Sequence, residues 1–70
     1  MIILQQYIGR SIRKRRKELG ITQAVLAELA EVSKNTVYKL ECGISNPTVE
    51  VIEKLMVVLG LELIIRVRKV

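Results

Sequence analysis

Seventy residues are enough for one domain and no more. The formal charge of +5 fits a polyanionic partner. The absence of histidine excludes histidine acid–base chemistry and histidine metal ligation, and one cysteine, Cys42, cannot form an internal disulfide. That lone thiol suits a reducing cytosol. The most apolar run, Leu55 to Ile65, is broken by Gly60 and Glu62 and is too short to span a bilayer. The leading MIILQQY lacks the basic start and small-residue cleavage site of a signal peptide, so a cytoplasmic protein with no membrane partner is expected.

From about Gln5 to Leu19 the pattern is helical, with Ile8, Ile12 and Leu19 on one face and Gly20 as the stop. Gly9 costs this helix about 1 kcal/mol relative to alanine, unless it serves to let another backbone approach. Six basic residues fall within eight positions: Arg10, Arg13, Lys14, Arg15, Arg16 and Lys17. They read either as a phosphate-binding surface or as a solvated face helped by the helix macrodipole. Arg16 differs, because it projects from the apolar side between Ile12 and Leu19, where a charge needs a partner.

The next stretch, Thr22 to Gly43 (TQAVLAELAEVSKNTVYKLECG), reads as helix, break, helix. Leu26, Ala27, Leu29 and Ala30 before the break face Val37 and Leu40 after it, with Val32 as the plug between them. Thr22 and Ser33 stand where N-cap residues do, and Gly43 closes the second helix. Outside the apolar seam lies a polar strip: Ser33, Lys34, Asn35, Thr36, Tyr38 and Lys39. It holds donors and acceptors of the kind that read base edges and no catalytic grouping. The pattern predicts a helix-turn-helix with its second helix presented to a DNA major groove.

Ile44-Ser45-Asn46-Pro47 carries turn chemistry, and Pro47 pushes Asn46 towards an extended backbone. Thr48 caps a further helix, with Glu50 and Glu53 near its start and Val49, Ile52, Leu55, Met56 and Leu59 as its core stripe, broadened by Val58. From Leu61 to Val67 the period changes to two. Leu61, Leu63, Ile65 and Val67 alternate with Glu62, Ile64 and Arg66, which predicts a strand. A lone strand leaves its backbone groups unpaired. Pairing with the same strand of a second copy, antiparallel across a two-fold axis, is the expected remedy. Met1 to Leu4 as an internal partner, or a continued helix, are the alternatives, and the two pairings can coexist.

Three stretches, IGRSIRKRRKELGITQ, AELAEVSKNTVYKLECG and NPTVEVIEKLMVVLGLEL, resemble the Xre (Cro/cI-type) family of phage and bacterial repressors. Together they cover about Ile8 to Leu63. The resemblance implies a mainly α fold: a compact four-to-five-helix, lambda-repressor-like DNA-binding domain over residues 1–60. Residues 61–70 would then form a C-terminal β-strand for dimerisation, carried by Leu61, Leu63, Ile64, Ile65 and Val67. The tail after LGLEL looks like that of HipB-type antitoxins, which implies a homodimer, a toxin partner (a HipA-like kinase) and repression of a shared operon.

By the same resemblance, Gln23 would bind a phosphate, Lys34, Asn35 and Lys39 would meet base edges, and Thr36 and Tyr38 would reach bases or the flanking backbone. Arg16 matches an arginine that pairs inside the domain with the glutamate numbered Glu41 here. Phosphate contacts from Arg13, Gln23, Ser45 and Asn46 would set the register on double-stranded DNA. The family's usual turn glycine is replaced by Glu31, which costs roughly 1–2 kcal/mol if that residue is left-handed. No cofactor, metal or catalytic residue is expected. A stand-alone phage-type repressor and a non-DNA-binding interaction module of the same fold are the competing readings.

Overall fold

The computed structural model describes residues 4–64. They form four helices: α1 (Leu4–Glu18), α2 (Gln23–Ala30), α3 (Lys34–Glu41) and α4 (Val49–Leu59). Each start after the first is set by a hydroxyl. Thr22 Oγ1 accepts from the Val25 amide at 3.1 Å, Ser33 Oγ from Thr36 at 3.0 Å, and Thr48 Oγ1 from Val51 at 3.2 Å. Those bonds satisfy amides that have no partner within their own helix. No described helix is long and apolar enough to cross a membrane.

Helix α1 packs on α3 and α4, and α2 packs on the same two helices. The core they enclose comprises Ile8 and Ile12 of α1, Leu26, Ala27 and Ala30 of α2, Val37 and Leu40 of α3, and Ile52, Leu55, Met56 and Leu59 of α4. Ile21, Val32, Val51, Val58 and Leu61 pack around it half-buried. The α4 set recurs at three- and four-residue intervals and so lines one side of a helix.

Three residues expected inside lie outside. Leu29 is 59% exposed, because an eight-residue α2 turned to bury Leu26, Ala27 and Ala30 leaves it on the flank. Leu19 follows the last residue of α1, where the chain turns through Gly20 at φ +70° and leaves the core. Val49 opens α4 beyond the edge of the packed region and is 60% exposed.

Gly9 is buried against the backbone of α3, and a β-carbon there would overlap the Leu40 carbonyl oxygen. Its role is therefore close approach. The break between α2 and α3 turns on Glu31, at φ 58° and ψ 42°, the only non-glycine with positive φ among the described residues.

No strand occurs among the described residues. Leu61 packs on the core, Glu62, Leu63 and Ile64 are exposed, and Ile65 and Val67 of the expected strand lie outside the described residues.

Candidate nucleic-acid interface

Helix α3 buries Val37 and Leu40 and turns its other residues outward. Lys34, Asn35, Tyr38 and Lys39 are exposed. No side-chain hydrogen bond holds Lys34, Asn35 or Lys39 among the described residues, so their donors and acceptors face solvent. Ser33 and Thr36 differ from these. Besides its capping bond, the Ser33 hydroxyl meets that of Thr36 at 2.7 Å, so both are engaged at the start of the helix. Tyr38 stands near Cys42, and that neighbour pushes the phenol above its usual range.

The basic block of α1 divides into two groups. Arg15 donates from Nε to the Leu59 carbonyl at 2.8 Å, where the end of α4 concentrates partial negative charge, and approaches Glu18 at 3.5 Å. Arg16 grips Glu41 with two bonds, Nε to Oε2 at 2.7 Å and Nη2 to Oε1 at 2.9 Å. Its Nη1 donates to the Ile21 carbonyl at 2.9 Å. The two side chains are 11% and 3% exposed. Burial pushes the Glu41 carboxyl up, but bonds from Arg16 and Gln23 and the charges of Arg16 and Arg13 hold it net below the usual carboxylate range. The bond that Arg16 donates to Glu41 chiefly raises the Arg16 pKa in turn, against its own desolvation. Arg10, Arg13, Lys14 and Lys17 remain exposed.

Two clefts flank the outward face of α3. On one side Arg13, Arg16, Lys17, Gln23, Tyr38, Glu41 and Cys42 line a hollow of about 320 Å3. On the other side Asn35, Thr36 and Lys39 join Ser45, Asn46, Pro47, Thr48 and Val51 around a second hollow of about 320 Å3. Asn46 Oδ1 accepts from Gln5 Nε2 at 3.0 Å, which ties the loop to α1. Ser45 Oγ is buried with no hydrogen-bond partner among the described residues. The geometry thus gathers Arg13, Gln23, Tyr38, Lys39, Ser45 and Asn46 around α3. It directs Arg16 and Glu41 inward.

The sequence places Lys17 in a basic block without a visible direction, and the docked α1 brings it to the cleft beside Gln23. Its place three residues after Lys14 and four after Arg13 is the one local hint that these side chains share a surface.

A short helix, a tight left-handed turn and a second helix with an open polar face define a helix-turn-helix domain. The chain belongs to the Xre-type helix-turn-helix family, whose model matches residues 12–65. It is 36% identical over 53 residues to a protein of Aeropyrum pernix assigned as an HTH-type transcriptional regulatory protein. The match takes in 76% of this chain but 16% of that much longer protein. Among solved structures it is similar to the restriction-modification controller protein C.AhdI of Aeromonas hydrophila, with a TM-score of 0.78 and 29% identity. That alignment covers 83% of this chain and 88% of C.AhdI.

Proposed function

We propose that this protein is a sequence-specific DNA-binding transcriptional regulator that acts as a dimer on a roughly palindromic operator. One observation carries the reading: a polar α3 face with unengaged Lys34, Asn35 and Lys39 lies between two clefts edged by Arg13, Lys17 and Gln23 on one side and Ser45 and Asn46 on the other. Such a face suits base edges, and such flanks suit the two phosphate backbones of a groove about 12 Å wide. Lysine suits guanine O6 and N7, and asparagine suits adenine N6 and N7.

Dimerisation is supported by apolar surface left exposed among the described residues. Tyr7, Leu63 and Ile64 are exposed beside Met56 and Leu61, and Val57 is 80% exposed next to them. Two copies joined there by their tails would place α3 and its mate in successive major grooves, about 34–36 Å apart. Bound across a promoter, the dimer would block polymerase and so repress.

Two genetic settings fit this regulator. The alternating tail from Leu61 supports an antitoxin that represses its own operon and binds a toxin. The likeness to C.AhdI supports a controller without a toxin. An adjoining kinase-like reading frame whose product co-purifies with this protein favours the first, and its absence the second.

Selection from a randomised duplex pool, followed by sedimentation of the protein free and bound, tests the reading. The expected result is enrichment of an inverted repeat bound by two chains. Equal retention of all duplexes at moderate salt overturns it.

A further inference from the structure

We propose that Glu41, besides its pairing with Arg16, is a positioning residue for DNA binding. It holds the Gln23 side chain as a fixed link between a backbone phosphate and the base-reading helix. The inference rests on the DNA-binding reading above.

The Glu41 carboxylate receives three hydrogen bonds. Oε2 accepts from Arg16 Nε at 2.7 Å, and Oε1 accepts both from Arg16 Nη2 at 2.9 Å and from Gln23 Nε2 at 3.1 Å. An ionised carboxylate only accepts, so Gln23 must turn its amide nitrogen towards it. That nitrogen carries two hydrogens. One is bound by Glu41, and the other remains for an acceptor in the cleft that Gln23 shares with Arg13, Lys17 and Tyr38.

The two ends of this bond lie on different elements. Gln23 is the first residue of α2, and Glu41 is the last residue of α3. Arg16 extends the connection to α1 and, through the Ile21 carbonyl, to the segment leading into α2. A phosphate held by Gln23 is therefore tied through one carboxylate to the helix carrying Asn35 and Lys39. The torsions of Gln23 are set before DNA arrives, so ordering them does not oppose binding. A bare carboxylate at this place would repel a phosphate. Arg16 covers this one with two charge-assisted bonds, and Arg13 adds positive charge nearby.

The test is a mutant cycle read as affinity for the duplex that the wild-type protein enriches from a randomised pool. Salt is held constant, and folding is verified by circular dichroism. Two backgrounds remove the acceptor differently. Arg16→Met with Glu41→Leu exchanges the pair for apolar residues of similar size, an exchange that folds commonly tolerate. Glu41→Asp keeps the charge opposite Arg16 but withdraws the oxygen from Gln23, and it decides the matter where the first variant is unfolded.

Gln23→Ala in the wild type is expected to weaken binding by about tenfold. Each background should bind about as weakly as Gln23→Ala, and adding that substitution to it should change affinity by less than about twofold. Backgrounds that bind like the wild type, or in which Gln23→Ala keeps its full effect, overturn the proposal while the DNA reading stands. An unaffected Gln23→Ala overturns it likewise. A wild-type protein that enriches no duplex brings down the DNA reading itself.

Discussion

Gly9 of α1 faces Leu40 of α3 with no room for a side chain: a β-carbon would run into the Leu40 carbonyl oxygen and press on the Glu41 Cα. The atoms in the way belong to backbone, so they cannot swing aside. This contact seats α1 on the end of the base-reading helix, one residue from Glu41. Gly9→Ala should therefore destabilise the protein by about 2 kcal/mol, although alanine is the better helix former by about 1 kcal/mol. Urea unfolding at constant pH measures this, and a stabilised variant would show that α1 and α3 are further apart.

Glu31 occupies a left-handed conformation that glycine enters freely. Glu31→Gly should raise stability by about 1 kcal/mol, which for a chain of this size is a rise of about 4–8 °C in melting temperature. Its amide bonds to the Ala27 and Glu28 carbonyls do not depend on the side chain and should persist. A thermal scan of the two proteins at equal concentration decides the sign.

Arg16 and Glu41 are almost wholly removed from water. Arg16→Met alone strands the carboxylate and should cost about 3–5 kcal/mol, whereas replacing both partners by apolar residues should cost far less. The same pair gives the protein an acid limb. Glu41 has its folded pKa below the unfolded value, so its stabilisation is complete above about pH 4.3. It is lost as pH falls from there through the folded pKa, because the unfolded chain takes up the proton first. Stability measured from pH 7 down to pH 2.5 should fall less steeply once both residues are replaced.

Asn35 faces solvent in the first turn of α3, whereas Gln23 sits in the flanking cleft. Asn35→Ala should relax preference at one base pair in each half-site, by about 1–3 kcal/mol of discrimination. Gln23→Ala should instead weaken all sequences about equally, since a phosphate carries no base information. Binding profiles over an operator library separate the two, and an unchanged profile for Asn35→Ala would remove it from the base-reading set.

The helix starts and the turns were readable from residue order because their causes are local. Thr22, Ser33 and Thr48 reach amides three residues ahead. Gly20, Gly43 and Gly60 all adopt the positive φ that follows a helix. The apolar pattern also identified most of the core, since periodicity alone turns Ile8 and Ile12, or Ile52, Leu55 and Leu59, to one side. It failed at Leu19, Leu29 and Val49, where an element is short or ends and hydrophobicity does not reveal which flank is covered.

Chain order by itself therefore determined the four-helix plan, the caps and the polar strip on α3, all of them consequences of neighbours a few residues apart. Only the tertiary structure decided what each charge does within that plan. Arg15 and Arg16 are adjacent in a uniform basic run, yet one binds the Leu59 carbonyl, 44 residues away, and the other binds Glu41, 25 residues away. Gln23 likewise meets its acceptor across 18 residues. Ion pairs and side-chain hydrogen bonds depend on distances of about 3 Å, and separations of that order between distant residues exist only once the helices have packed.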